Sequence, residues 1–510
     1  MSSVLTCYGI LIPNGTLSDT HMKKIRRILT ISVKTFSGYV KRTYGFTQGV
    51  NHFIVPRFTP LPRGVNLVVT NTLRRGYDRR AQLARFMATP TDNQSAVLAH
   101  IMGNMFTTDS MKLGKAGVIV DMEPGQGKTF LAMAVMSALG RKTAIIVPRS
   151  YLQKQWAEIC RKYLPDASIG TYDGKVKTDG DVVILVINSA VSDTFTFGKG
   201  ADVKSYPSHK FWSRFGLIVY DEVHMYCSES RAEIFRNAQA PYMLGLSATP
   251  DSRLDLHDPL AVWSVGPILK SSTIAGYSKD EVGYRTSTRV IKYECKTKFA
   301  ETILSAVGTV SVPLMINNFV VDPDRNRIII EEAMRLYDLG LCIFVFTDRR
   351  GHAEYLTDEL RRYKYELGRD RFRSSLPPGI MGASSINTVY DYLYPADVDA
   401  ISLLGGSSDA DIRTAKGFSR IIVTTYAYSS TGVSIDKLNA AILATPRKNG
   451  MCQILGRIYR LSGDASVTRR IVDIVDWGTP LKKQYYTRRK EYLKKGEIET
   501  VNVVSAGGDI

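Results

Sequence analysis

Residues 117–136 read GVIVDMEPGQGKTFLAMAVM. An apolar run, 117–120, enters a glycine-rich turn, and a helix-forming stretch leaves it. Strand, glycine turn, Gly-Lys-Thr and helix is the arrangement a phosphate-binding loop needs. Gly125 and Gly127 let backbone N–H groups approach phosphate oxygens, and the helix N-terminus adds the positive end of its dipole. Lys128 is the candidate point charge for the β- and γ-phosphates of a nucleotide, and Thr129 the candidate hydroxyl for Mg²⁺. The strict motif would carry glycine where Met122 stands, so the loop departs from the pattern at its first position.

Two further strand ends follow. Residues 217–224, LIVYDEVH, close an apolar run with two carboxylates and a histidine, and Asp221 lies 93 residues beyond Lys128. A carboxylate at the end of a neighbouring strand is where a phosphate-loop ATPase holds its metal, which makes Asp221 the candidate on the metal side. Glu222 is placed to orient and deprotonate an attacking water. His224 is a candidate for coupling the site to the next loop. Residues 244–250, LGLSATP, end a third run with Ser247 and Thr249, candidates for passing on the nucleotide state. Residues 453–460, QILGRIYR, place Gln453, Arg457 and Arg460 at helical spacings i, i+4 and i+7, so the pattern predicts one polar face with two guanidiniums. Their expected role is that of arginine fingers on a γ-phosphate across an interdomain cleft.

Working outward, apolar runs alternate with helical patterns from about residue 94. They lie at 117–120, 143–147, 182–187, 217–220 and 243–247, and again at 341–346, 401–404, 421–425, 440–444 and 471–475. Wholly apolar strands separated by helices predict an α/β fold with parallel sheets covered on both faces. The expected division is a basic module at 1–80, a first α/β domain at 81–275, a linker at 276–325, a second at 326–480, and a basic tail at 481–510. Residues 364–400, rich in Gly, Pro and Ser, read as an insertion or long loop. In the module, residues 5–12 read as one strand and the basic stretch around Lys23-Lys24-Ile25-Arg26-Arg27 as a helix, giving a small α+β unit.

Charge separates this module from the rest. The chain carries Lys+Arg 67 against Asp+Glu 48, a net of +19. Residues 1–80 hold 13 Lys/Arg and only Asp19 and Asp78 as acids. A basic front on a nearly balanced body predicts a polyanion contact, with Tyr39, Tyr44, Phe46 and Phe53 as stacking candidates. Because it holds none of the ATPase motifs, the module is expected to be removable without loss of basal ATPase. The six cysteines form no CxxC pair, which argues against a zinc ribbon, an iron–sulfur cluster and a disulfide framework. No apolar run approaches the roughly 20 residues of a membrane span, and residues 1–13 lack the basic region of a secretory signal.

In order, MEPGQGKT, IIVPRSYLQKQW, DEVH, LGLSATP, FVFTDRR, TTYAYSSTGVSI and QILGRIYR resemble the motif set of superfamily 2 DExH helicases over about residues 90–477. The resemblance implies two tandem RecA-like parallel-sheet domains, with ATP and Mg²⁺ between them and nucleic acid across their tops. It also implies an adenine contact for Gln94 of the stretch TDNQ, and a nucleotide contact for Gly432. Pro148, Arg149 and Ser189 match strand-contacting positions of the first domain, and Thr347 and Thr425 those of the second. Such contacts go to phosphates and are sequence-neutral. Ser434 stands where many relatives carry Asp, a departure that bears on a ribose contact.

The stretch VHMYCSESRAEIFRNAQAPYMLGLSATP, with the small module ahead of the glutamine motif, most resembles the A18-type transcript-release helicases of large nucleocytoplasmic DNA viruses. That resemblance implies a nucleic-acid-dependent ATPase working 3′→5′ on DNA, with RNA or a DNA–RNA hybrid as further substrates. The implied setting is viral transcription or recombination and repair, with a viral RNA polymerase or replication factor as partner. A monomer without membrane contact, in the virion and host cytoplasm, is expected. An alternative is an ATP-gated clamp that docks on a polymerase without separating strands. A restriction-system motor is disfavoured because no PD…ExK nuclease cluster is present.

Overall fold

In the computed structural model, residues 3–6, 8–34, 39–73, 76–198, 203–228, 230–250, 256–278, 284–375, 399–429, 435–459, 464 and 466–505 are described. Two compact units divide the chain, Met1–Glu281 and Val282–Ile510.

The first unit is built on β8 (Gly117–Asp121), β9 (Thr143–Val147), β10 (Ile169–Tyr172), β11 (Val182–Val186), β14 (Leu217–Tyr220), β15 (Tyr242–Ser247) and β16 (Ile268–Lys270). A separate hairpin pairs β12 (Thr194–Phe197) with β13 (Lys204–Pro207). The seven-stranded sheet has the order β10-β11-β9-β14-β15-β8-β16, and every pair is parallel. All five apolar runs read from this half of the sequence are strands. Within the strands their Val and Ile side chains are buried on both faces, with Val186 partly so, as helix-covered parallel strands require. The edge strands β10 and β16 escape that reading because they are short and only partly buried. Parallel pairing puts every carboxyl end on one edge of the sheet, where ligands of α/β folds bind.

The amino-terminal residues form β1 (Ser3–Thr6), β2 (Gly9–Pro13), β5 (Thr47–Gln48), β6 (His52–Val55) and β7 (Val69–Asn71), a mixed sheet in the order β5-β6-β2-β1-β7. The run 5–12 is therefore a hairpin rather than one strand, with Val4 opposite Leu11. β3 (Thr30–Lys34) and β4 (Val40–Tyr44) pair with each other apart from that sheet. The basic stretch is a helix, Asp19–Ile28, whose N-cap Ser18 accepts from the His21 backbone N–H at 3.3 Å.

Contrary to expectation, this α+β element is no detachable body. Ile25, Leu29, Phe53 and Val55 share one continuous core with Ile119, Ile146, Trp212 and Trp263 of the first domain. Phe53 is wholly buried there, so it is no stacking platform, whereas Tyr39 and Tyr44 are exposed. Buried Arg57 donates to the carbonyls of Ala240 and Pro241, each at 2.6 Å, and to that of Gly114. A half-apolar small sheet must cover its inner face, and here the first domain covers it.

The second unit holds β17 (Thr286–Glu294), β18 (Ile343–Thr347), β19 (Ala400–Leu403), β20 (Ile421–Thr425), β21 (Ala440–Leu443), β22 (Arg469–Asp476) and β23 (Gly496–Val504). They form a second all-parallel sheet, β19-β20-β18-β21-β22-β17-β23. Two expectations change. The segment 276–325 is not simply a linker, because it contains β17, which lies between β22 and β23. Residues 481–510 are not simply a tail, because helix Lys483–Leu493 and β23 complete the domain. The buried Arg488 guanidinium grips Asp473 of β22 through two bonds of 2.8 and 2.9 Å, and the Tyr492 hydroxyl donates to the same carboxylate at 2.8 Å. Both segments escaped a reading by apolar runs because polar and charged residues alternate through them. Of the expected insertion at 364–400, residues up to Ser375 continue the helix Arg350–Ser375, and 376–398 lie outside the described residues. Among the described residues no helix is long and apolar enough to cross a membrane.

Candidate active site

The loop after β8 has the backbone its glycines allow. Gly125 and Gly127 have φ of 86° and 82°, in the left-handed region that a side chain disfavours. Gly127 is also the N-cap of helix Lys128–Leu139, so the first helical N–H groups face the loop. Lys128 Nζ donates to the carbonyls of Met122 at 3.0 Å and Glu123 at 3.4 Å, which holds the ammonium over the loop. The Met122 departure has a structural cause: its side chain is wholly buried in the core beneath the loop. Gln94 sits beside it. Its Oε1 accepts from the Thr91 N–H at 3.1 Å, Thr91 Oγ1 accepts in return from the Gln94 N–H, and Gln94 Nε2 donates to the Gln126 carbonyl at 3.1 Å. This capping box ties the glutamine motif to the phosphate loop.

Asp221 follows β14. Its Oδ2 accepts from Trp156 Nε1 at 2.7 Å, and its N–H donates to the Ile146 carbonyl on β9 at 3.0 Å. Burial first, then the adjacent Glu222 charge, push its carboxyl up to about 7, against the pull of Trp156 and Lys128. Such a group gains strongly from a cation. Glu222 adopts φ 49° and ψ 52°, left-handed for a residue with a side chain, a conformation that costs about 1–3 kcal/mol and tends to persist at functional sites. The turn brings Glu222 Oε2 to 3.4 Å from His224 Nδ1. The same nitrogen lies 2.9 Å from Ser247 Oγ at the end of β15, and Ser247 Oγ accepts from the Thr249 N–H at 3.0 Å. Glu222, His224, Ser247 and Thr249 thus form one chain of polar contacts.

Pro148 is buried at the end of β9, and Arg149 is exposed where helix Ser150–Tyr163 begins. Ser189 is half-buried in the short helix Ile187–Ala190 after β11. Because the neighbours run β11-β9-β14-β15-β8, the groups line the sheet edge in a fixed order: Ser189, Arg149, Asp221 with Glu222, Ser247, and the phosphate loop. Trp156, which orients Asp221, is absent from the sequence-derived site, since a tryptophan within a helix reads as core.

In the second unit, Thr347 and Thr425 are paired neighbours at the ends of β18 and β20. Thr347 is a correction: its hydroxyl is fully buried and bonded to His352 Nδ1 at 2.7 Å, so it is not presented for a phosphate. Thr425 Oγ1, also buried, accepts from the Tyr428 N–H at 3.2 Å. The arginine stripe is described only in part. Helix Met451–Leu455 ends before Gly456, and Arg457 follows in tight turns, its N–H donating to the Ile454 carbonyl at 3.2 Å. Glycine is a poor helix former, which suits an end to the helix at this point. Gly432, Ser434, Arg460 and the Gln453 side chain lie outside the described residues.

The donors present suit Mg²⁺, a hard cation that prefers oxygen ligands: the Thr129 hydroxyl and the cation-seeking Asp221 carboxylate.

Comparison with known proteins agrees with this layout. The family described as type III restriction enzyme, res subunit, matches residues 88–252, the part of the first domain that holds these motifs. A protein of African swine fever virus, from a warthog isolate, provisionally named an ATP-dependent RNA helicase, is 30% identical over 397 residues, covering 74% of this chain and 67% of its own. A similarly named protein of Acanthamoeba polyphaga mimivirus is 21% identical over 501 residues, 96% of this chain and 85% of its own. Among solved structures, the DUF1998 helicase MrfA bound to DNA and AMPPNP superposes with a TM-score of 0.51 at 13% identity, over 83% of this chain and 54% of that one, a likeness of fold. The chain belongs to the superfamily 2 helicases, a family of ATP-hydrolysing enzymes, alongside relatives from large DNA viruses.

Proposed function

We propose that the chain couples ATP hydrolysis to movement along nucleic acid, as a 3′→5′ translocase or helicase directed to DNA or DNA–RNA hybrids. Transcript release during viral transcription is the proposed setting, supported by the viral relatives. The observation that carries the reading is the order of groups along one sheet edge, from Ser189 and Arg149 through the DEVH carboxylates to the phosphate loop. Phosphate contacts and ATP chemistry then share adjacent strands, and a shift at one end is felt at the other.

Lys128 and the N–H groups around Gly125 and Gly127 hold the β- and γ-phosphates. Mg²⁺, when bound, supplies charge neutralisation there, and Thr129 and Asp221 would hold it. Glu222 orients the attacking water and accepts its proton. His224 and Ser247 carry the resulting change at Glu222 toward Thr249. Gln94 fixes the adenine side of the loop.

The test is hydrolysis by the full chain with single-stranded DNA, duplex DNA and single-stranded RNA, followed by displacement from duplexes with 3′ or 5′ tails. DNA-stimulated turnover with release only from 3′-tailed duplexes is expected. Stimulation without displacement would favour the ATP-gated clamp, and no stimulation by any nucleic acid would overturn the reading.

A further inference from the structure

A cavity of about 420 Å³ lies where the amino-terminal residues meet the first domain, away from the phosphate loop. Its size falls in the range of about 300–1,000 Å³ typical of small-ligand sites. It is lined by the stretch from Arg42 to Gln48, where β4 turns into β5, by Pro56 and Ala232, and by the helices Ile234–Asn237 and Pro259–Ser264. The first of these helices comes soon after DEVH, and the second soon after LGLSATP.

The floor is apolar, with Phe235 and Leu260 buried. At the mouth, Arg42 and Arg236 are exposed, and neither guanidinium has a carboxylate partner among the described residues. Tyr44 is 53% exposed and meets Phe46 edge-on at 5.5 Å. The Gln48 Oε1 accepts from Arg26 at 2.8 Å, which orients the amide. The turn itself is fixed. Gly45 N–H donates to the Leu29 carbonyl at 2.7 Å, and a Cβ on Gly45 would fall 2.6 Å from the Trp263 ring.

Two unpaired guanidiniums, a half-exposed aromatic ring and a held amide recognise a phosphate joined to a planar base. An acidic peptide would use the arginines and leave the ring idle. We propose that this cavity is a subsite for one unpaired nucleotide of the nucleic-acid strand, with Arg42 and Arg236 on its phosphates and the base stacked on Tyr44. The proposal rests on the nucleic-acid reading above and deepens it. An occupied subsite would press on the two helices that follow the DEVH and LGLSATP strands, which links strand engagement to the ATP motifs.

The test uses the full chain with fluorescein-labelled oligothymidylate, oligouridylate, a blunt DNA duplex and polyglutamate. Arg42→Ala with Arg236→Ala should weaken single-strand binding at least tenfold and lower its log–log salt slope by about 0.7 for each phosphate no longer neutralised. Tyr44→Ala should weaken it on the order of tenfold, Tyr44→Phe should restore it, and blunt duplex should bind alike in all variants. A 4-thiothymidine in the oligothymidylate should photocrosslink to the peptide containing Tyr44. The two oligonucleotides tell a deoxyribo strand from a ribo strand as the natural occupant. If wild type binds and is stimulated by either strand while all variants behave like it, the subsite alone is overturned. The subsite is likewise overturned if only polyglutamate binding responds. If wild type binds no oligonucleotide, both the subsite and the nucleic-acid reading fall.

Discussion

Glu222 combines a left-handed backbone with a carboxylate 3.4 Å from His224. Replacing it by Gln keeps shape and removes the proposed base. Glu222→Gln should bind ATP like wild type in a fluorescent-nucleotide titration, yet hydrolyse it about 10²-fold more slowly. A normal rate would move the base elsewhere. Trp156 offers a second test, because its Nε1–H holds Asp221 at 2.7 Å from within a helix. Trp156→Phe keeps an aromatic ring there, a smaller one, and loses that bond. Removing the partner behind a metal ligand typically costs about 10–100-fold in affinity or activity. A Mg²⁺ titration of ATPase activity should show half-saturation displaced upward by that order, at a temperature well below the melting point, which the smaller buried ring lowers.

The helix Lys483–Leu493 and strand β23 carry the largest departure from expectation. Arg488 and Asp473 are both about 1% exposed and bonded twice. Removing one partner of a buried pair costs about 3–5 kcal/mol, because the other charge stays behind. Arg488→Met should therefore destabilise the carboxy-terminal unit by that amount in urea, and deletion of 481–510 should unfold it. A second buried polar group in this unit makes it sensitive to acid. Burial, with the Arg325 charge adding to it, holds the His352 imidazole down to about 3, against 6.5 ordinarily. Between those values the unfolded chain binds a proton that the native unit refuses. The stability associated with neutral His352 is complete above about pH 6.5 and falls toward pH 3, at up to about 1.4 kcal/mol per pH unit. His352→Gln should flatten the pH dependence of urea midpoints in that window, and an unchanged slope would show that other groups set it.

Charge and core pull apart in the molecule as a whole. The first 80 residues carry 13 of the 67 Lys/Arg, yet their inner face shares a core with the first domain. Deleting them would strip cover from Ile146 and Trp263 and take away Arg57, so loss of ATPase in that truncation would report unfolding. Surface substitutions separate the two roles. Lys23, Lys24 and Arg27 are exposed on the helix Asp19–Ile28. Changing all three to Ala should leave the melting temperature in place and lower the log–log salt slope of duplex DNA binding by about 0.9 for each phosphate no longer neutralised. An unchanged slope would assign this face to something other than nucleic acid.

Ten apolar runs and the glycine loop are legible from residue order alone, because a strand buried on both faces has no polar positions and a phosphate turn needs glycine at set places. The DEVH carboxylates, Ser247 and Lys128 are legible for the same reason: each sits within a few residues of a strand end, and parallel pairing delivers those ends to one edge. Other features depend on partners distant in the chain. Trp156 and Asp221 are 65 residues apart, and Arg57 reaches carbonyls at Ala240 and Pro241. Arg488 and Asp473 look like solvated charges until helix and strand pack together. The strands β17 and β23 look like linker and tail until each finds its neighbour. Thr347 matches a surface motif, but His352 and the fold around it take its hydroxyl inward. Local pattern decides which segments can be strands, helices and phosphate turns. Burial and pairing are relations between segments, and only the folded chain supplies the second member.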